Sequence, residues 1–273
     1  MRIKDAAFTI FDFETTGLYP YSGDRICEIG AVRIDSGRKR KKTFHSMINP
    51  GRPISPGAFN VNGITEEMLD GAPKIEKAMP AFMKFIKDSV LVAYNAGFDL
   101  GFLECAMGEE INLLDSYLIV DALGLARKLF PGLGRYGLGP VCDALNIRVD
   151  GEHRAMADAL MTAKVFEKEL KVLEKMGVRA VADIAYVRTK KAASVNRVKD
   201  HKTMLIEEAI RARKKLNIVY RSVWTDAVSS RTIEPKEIRY GYDKAYLIAH
   251  CRAVNDQRNF RLDGILEIEE TGE

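Results

Sequence analysis

Phe8-Thr9-Ile10-Phe11-Asp12-Phe13-Glu14-Thr15-Thr16-Gly17 reads as an apolar strand that ends in two carboxylates and a glycine turn. Residues i and i+2 of a strand share a face, so Asp12 and Glu14 project together. Like charges at that spacing repel, and a fold tolerates them chiefly where cations sit between them. The same letters also suit a strand running out into a polar loop. What decides between the two lies further along the chain.

The first strand is expected over 6–13, with two more over 26–34 and 43–49 joined by a basic, glycine-containing turn. A loop follows over 50–56, then a helix start with Thr65 as its cap. Residues 75–87 place Ile75, Met79, Phe82 and Ile86 at helical spacing, a core-facing stripe. The continuous apolar run 90–94 suits a fully buried strand and leads into a helix over 99–108. A further strand over 117–120 precedes helices over 121–129, 137–145 and 155–176. A meander of strands followed by strand–helix alternation predicts an α/β fold, a mixed sheet flanked by helices.

Three separated acidic clusters then fall into line: Asp12 with Glu14, Asp99 before a helix, and His153 with Asp158 around the start of the helix at 155. Each carboxylate is expected near a strand end or a helix start, where open α/β sheets place their ligands. Four convergent carboxylates need counter-charge, and hard divalent cations bound by oxygen supply it. The chemistry this pattern suggests is two-metal phosphodiester hydrolysis, with a nearby histidine to take a proton from the attacking water.

Asp12-Phe13-Glu14-Thr15-Thr16-Gly17, Asn95-Ala96-Gly97-Phe98-Asp99 and His153-Arg154-Ala155-Met156-Ala157-Asp158 resemble, in order and spacing, the three motifs of the DEDDh 3′–5′ exonucleases. The likeness is nearest to the proofreading exonuclease of bacterial replicative DNA polymerase III, and it covers residues 6–172. It implies a ribonuclease H-like fold, two divalent ions (Mg²⁺ or Mn²⁺) held by Asp12, Glu14, Asp99 and Asp158, and His153 as general base. It also implies a pocket for the terminal nucleotide at Phe13, Thr15, Thr16, Gly17 and Leu18, with Asn95 and Phe98 beside it. Tyr94 and Asn62 stand where many relatives carry histidine. Neither touches the five catalytic positions.

Residues 203–273 resemble a WYL domain, a small Sm/SH3-like β-barrel, through Ile218-Val219-Tyr220, the segment 231–235, the segment 245–251 and the segment 258–263. Ala245 replaces the namesake tryptophan, and Gly264 replaces an arginine common in relatives. Tyr220, Arg221, Arg231, Tyr246, His250, Arg252, Arg258 and Arg261 are expected to form one basic, aromatic cluster for stacking and phosphate contact with single-stranded nucleic acid. The domain plan is therefore an exonuclease domain over 1–175, a basic linker over 176–202 and the WYL-like domain over 203–273.

Charge follows that plan. Residues 1–170 carry 21 Lys and Arg against 23 Asp and Glu, 171–202 carry 9 against 3, and 203–273 carry 12 against 12. With 47% hydrophobic and 29% charged residues the chain is of ordinary globular composition, which excludes the disordered and membrane-spanning classes. Four cysteines without paired spacing and no apolar leader suggest a reducing cytoplasm. The expected activity is 3′-end hydrolysis of single-stranded nucleic acid, DNA before RNA, to 5′-mononucleotides, in repair or nucleic-acid processing. The sequence shows no clamp- or polymerase-binding peptide, so no polymerase partner is indicated, and no membrane. Two alternatives stay open: an RNA-trimming or short-oligonucleotide-degrading enzyme on the same site, and a binding protein without catalysis.

Overall fold

Strand β1 (Phe8–Thr15) is the middle member of a five-stranded sheet. In this computed structural model, which describes residues 1–20, 23–35, 41–108, 116–148, 153–185, 201–221, 227–240 and 245–271, the chain divides into two units, 1–187 and 188–273. In the first unit, β1 pairs antiparallel with β2 (Ile26–Ile34), and β2 antiparallel with β3 (Lys41–Met47). On its other side β1 pairs parallel with β4 (Val90–Ala93), which pairs parallel with β5 (Ile119–Asp121). The helices are α1 (Pro56–Asn62), α2 (Glu66–Leu69), α3 (Ile75–Ile86), α4 (Ala96–Met107), α5 (Ala122–Leu129), α6 (Leu138–Ala144) and α7 (Ala155–Lys175).

Side-chain alternation along β1 decides what each face of the sheet meets. Phe8 and Ile10 join the core with Val32, Val92, Phe166 and Leu170, the last two from α7. The opposite face carries Phe11 and Phe13, whose rings lie 6.1 and 5.7 Å from that of Phe82 on α3. Continuing the first face past Ile10 gives Asp12 and Glu14, so the carboxylates point to the side of the sheet that α7 covers. Both lie inside the strand, paired with Gly30 and Glu28, because β1 runs on to Thr15, past the expected end at 13.

Two stretches differ from their sequence reading. Residues 50–56 were expected as loop, and the chain turns helical at Pro56: Ser55 Oγ caps α1 by accepting the Ala58 amide, and Gly63 ends it at φ +63°. The segment expected as linker from 176 still packs on the first unit to residue 184. Val181 and Ile184 are buried in the Phe166 core, and the Ile3 and Val181 amides bond to the Arg179 and Met1 carbonyls. Residues 186–200 of that stretch lie outside the described residues, as does the tip of the basic turn at 36–40.

The second unit is α8 (His201–Ala212) against an antiparallel sheet of β6 (Leu216–Arg221), β7 (Val228–Tyr240), β8 (Ala245–Cys251), β9 (Asp256–Arg261) and β10 (Ile265–Glu270). The order is β10-β6-β7-β8-β9, and its core joins Ile206 and Ala209 of α8 to Ile218, Ile233, Leu247 and Phe260. The expected barrel is not closed: among the described residues no pairing joins β9 to β10. The sheet is nonetheless curled. A flat five-stranded sheet would hold its edges about 19 Å apart at ~4.8 Å per strand, and the three residues Leu262–Gly264 joining its two edges span at most ~14 Å.

Candidate active site

The parallel pairing of β1 with β4 ends at Ile10 and Val92, while β1 runs on to Thr15. Beyond that point the Phe13 amide is released from β4, and Asp99 takes it: Oδ1 accepts the Phe13 N–H at 3.1 Å. Asp99 stands in the first turn of α4, three residues inside the helix start. Asn95, at φ +66°, turns the chain from β4 into that helix, and Asp121 Oδ1 fixes the turn by accepting the Asn95 and Ala96 amides at 3.0 and 3.2 Å. The sequence reading places Asp121 at the start of a helix, within the family-like segment 120–123, without giving it a task. Its position just past a buried strand was the available signal of this role.

The third element is α7, whose first turn carries Asp158. Single oxygens of Asp12, Glu14 and Asp158 lie within 4.8 Å of one another. The Asp158 Oδ1 also accepts the His153 amide at 3.3 Å. His153 is exposed and adopts φ +63°, a left-handed backbone rare for a non-glycine residue. All five positions expected to be catalytic therefore meet at one end of the sheet.

Burial, and then the neighbouring carboxylates Asp99, Asp158, Glu14 and Glu28, hold Asp12 well above its ordinary value. Asp99 is raised too, by burial foremost, against the opposing pull of the Phe13 hydrogen bond. Burial, then Asp158 and Glu28, push Glu14 from 4.5 to about 7, while the Asn62 amide and Arg154 work in the other direction. Such a set is short of positive charge. An all-oxygen donor set with three carboxylates converging fits hard divalent cations, whose binding would let the group ionise.

Asn62, noted in the sequence only as a replaced histidine, ties α1 to this site: its Nδ2 donates to the Thr15 carbonyl at 3.3 Å and its Oδ1 accepts the Ile64 amide. Of the residues expected around the terminal nucleotide, Leu18 is 64% exposed and Asn95 is exposed. Phe98 is half-buried, its ring 5.0 Å from that of Phe102. Thr15 and Thr16 are buried, donating to the Gly17 carbonyl and to Asp24. A Cβ on Gly17 would fall 2.3 Å from the Asp24 carboxylate and would displace it from Thr16 and the Tyr19 amide. Phe13 departs from expectation. Its ring is locked between Phe11 and Phe82, and only its amide faces the cluster.

Sequence reading also left Glu28 and Arg154 without a task. Burial alone would raise the Glu28 carboxyl, yet hydrogen bonds from Arg154, His45 and the Ala155 amide hold it below its ordinary value. An acid inside an otherwise apolar strand, Ile26-Cys27-Glu28-Ile29, was the signal.

In the second unit the expected single patch divides. Tyr220, Arg231 and Arg258 pair across the sheet with Ile265, Ile218 and Ala249, so they share the face that packs toward the core with α8. Tyr246 and Arg261 pair with each other, and with His250 they occupy the opposite face. Tyr220 is engaged in packing: its ring lies 5.1 Å from Phe260, and Gly264 is pressed against it so closely that a Cβ there would stand 2.9 Å away. The period of two, with this register, prevents the six residues from forming one surface.

Comparison with known proteins agrees with this geometry. Residues 9–166 match the exonuclease family (RNase_T), and residues 201–270 match the WYL domain. Among curated relatives, the PolC-type DNA polymerase III of Caldanaerobacter subterraneus subsp. tengcongensis is 35% identical over 219 residues, 80% of this chain and 15% of that protein. This chain thus spans about 15% of the length of that relative. Among solved structures, exonuclease X in complex with 5′ overhanging duplex DNA is 28% identical, with a TM-score of 0.52 over 65% of this chain and 97% of that one. The nuclease domain of 3′hExo, a DEDDh family member bound to rAMP, shares the fold at 16% identity, with a TM-score of 0.51 over 63% of this chain and 94% of that one. A carboxylate cluster built where β1, α4 and α7 meet, on a fold shared with these nucleases and within a matching sequence, places the chain in the exonuclease family, with a WYL domain following the exonuclease domain.

Proposed function

We propose that this protein is a metal-dependent 3′–5′ exonuclease that hydrolyses the terminal phosphodiester of single-stranded nucleic acid, DNA before RNA, and releases 5′-mononucleotides in the cytoplasm. The observation that carries this reading is the convergence of Asp12, Glu14 and Asp158 within 4.8 Å, with Asp99 bound to the Phe13 amide between the first two. These four carboxylates would hold two divalent ions, Mg²⁺ or Mn²⁺. When bound, the ions supply Lewis-acid polarisation of the phosphoryl group and neutralise its developing charge. His153, exposed beside the cluster, takes the proton of the attacking water on an imidazole nitrogen. A P–O bond forms to the water oxygen, the P–O3′ bond breaks, and the departing 3′-oxygen of the shortened strand takes up a proton. Leu18 and Phe98 present apolar surface to the terminal base, and the backbone of 15–17 faces its sugar.

DNA is favoured because exonuclease X, 28% identical, was captured with DNA, and the curated relative described above is a DNA polymerase. The second unit, read as a curled Sm/SH3-like module, binds nucleic acid through the Tyr246, His250 and Arg261 face of its sheet. Four free cysteines are in keeping with work in a reducing compartment. No helix among the described residues is long and apolar enough to cross a membrane.

The test is a time course on matched 5′-labelled single-stranded DNA and RNA with Mn²⁺, wild type beside Asp12→Ala. A ladder that shortens from the 3′ end, lost in the variant, is the expected result, and the faster strand names the sugar preference. Undiminished turnover by Asp12→Ala would sink the assignment. Strand binding with no cleavage by wild type would leave a binding protein.

A further inference from the structure

Strand β2 grips the first turn of α7 at two points on one face. At Gly30 the helix backbone lies where a side chain would be, a Cβ there falling 2.2 Å from the Ala155 carbonyl carbon. Two residues earlier, Glu28 meets the same turn. Its Oε2 accepts Arg154 Nε at 3.0 Å and the Ala155 amide at 3.2 Å, and its Oε1 accepts Arg154 Nη2 at 2.9 Å. His45 Nε2 is 2.7 Å from the same Oε1, and Arg154 Nη2 also approaches Met47 Sδ at 3.7 Å. The carboxylate is 1% exposed, and it stands at the N-terminus of a 21-residue helix, where free amides favour negative charge.

A two-pronged guanidinium–carboxylate pair fixes orientation as well as distance. Arg154 is the residue after His153, whose φ of +63° costs energy and persists only if its surroundings impose it. On one side His153 is held by its amide to Asp158, and on the other by Arg154 through Glu28. Glu28 and Arg154 are bonded to each other, and Glu28 stands across the sheet from Glu14.

We propose that the Glu28–Arg154 pair is a positioning device: it fixes the backbone of His153 and thereby aims the imidazole at the carboxylate cluster. The proposal rests on the reading of His153 as general base. Its test is a double-mutant cycle on a 5′-labelled single-stranded DNA oligonucleotide with Mn²⁺: wild type, Arg154→Ala, His153→Ala and the double variant. Arg154→Ala is expected to lower kcat about 10–100-fold, the cost typical of losing a group that orients a catalytic one, with KM within about threefold of wild type. The double variant should be no slower than His153→Ala alone, because nothing is left to position. Arg154→Lys, which keeps the charge and loses the fork, should fall between wild type and Arg154→Ala.

A full Arg154→Ala loss on top of His153→Ala overturns the proposal, because the arginine would then act independently of the histidine. So does a loss that vanishes on raising Mn²⁺, because the effect would then run through the carboxylates. The Arg154 side chain is 38% exposed, and thermal unfolding reports whether its removal leaves the fold intact. Should it not, Glu28→Gln, of nearly the same shape, enters the same cycle. Asp12→Ala separates the two readings. Activity retained there overturns the nuclease site itself, whereas a dead Asp12→Ala beside an unimpaired Arg154→Ala overturns the positioning role alone.

Discussion

Glu169 lies in α7, fully buried, and neither carboxyl oxygen has a hydrogen-bond partner among the described residues. Burial foremost, and then the nearby Asp121, raise its pKa well above the ordinary 4.5, and Tyr94, just past β4, is raised by burial first and by this carboxyl second. Thr162, one pair of turns earlier on the same helix, is likewise buried without a partner for its hydroxyl. Asp121, by contrast, has four backbone amides to accept, so the proton belongs to Glu169. The consequence for stability has a definite sign. Below about pH 4.5 the carboxyl is protonated in both states; above it the unfolded chain releases the proton and the fold does not. Stability therefore falls as pH rises from about 4.5, until the buried group itself ionises. Glu169→Met, apolar and of similar shape, is expected to stabilise by about 1–3 kcal/mol, the cost of an unsatisfied buried polar group. Thermal melts from pH 5 to 9 should show the wild type losing Tm faster than the variant. Parallel curves would mean the carboxyl is satisfied and ionised.

At the scale of elements, the site depends on how closely β2 lets α7 approach. Gly30→Ala puts a Cβ against the Ala155 and Met156 backbone at 2.2–2.3 Å, and a helix backbone cannot swing aside as a side chain can. The variant is expected to lose stability at the upper end of the ~1–3 kcal/mol typical of overpacking. Whatever folds should also lose activity, since Asp158 moves with the turn that is displaced. Urea unfolding beside initial rates would show both, and a variant with wild-type rates would mean the turn can shift without moving Asp158. This approach illustrates what the sequence makes legible. The span of β2 and the start of α7 were read at their observed places because a mostly apolar strand and a long amphipathic helix carry strong signals. The strand-end motif was readable from the i, i+2 rule, although β1 runs two residues further than expected. Helix α1 was missed even though Ser55-Pro56 and Gly63 are a start and a stop, because its exposed Phe59 and Val61 give no core-facing stripe. Glu169 looks like any charged residue on a long helix, and only the fold, which brings Asp121 and Tyr94 near it, makes it buried. In the second unit the faces on which the patch residues lie were not legible in the sequence. Faces follow from register, and register is set by pairings distant in sequence.

For the molecule as a whole, charge raises the question of how a phosphate strand reaches a site built from four carboxylates. Residues 1–170 are mildly acidic, the positive excess falls in 171–202, and residues 203–273 are balanced. Phosphate attraction by the middle stretch is non-specific and salt-dependent. Contacts from the WYL domain, tethered to the nuclease by the same chain, would raise the effective concentration of a long strand without altering the cleavage step. Among the described residues, the cores around Phe166, Val141 and Cys27 are built from residues of the first unit. Ending the chain at residue 202 keeps the basic stretch and removes only the WYL domain. That variant is expected to raise KM for a 40-nucleotide single strand about tenfold or more. With a five-nucleotide substrate, too short to reach a second contact, kcat and KM should stay within about twofold of wild type. Raising salt should weaken both proteins on the long strand, and the full chain more steeply, by the number of phosphate contacts the domain contributes. Equal losses on long and short substrates would instead assign the domain to the integrity of the nuclease. Unchanged kinetics on both would leave it free to bind some ligand other than the strand being cut, with the Tyr246, His250 and Arg261 face as the surface to probe.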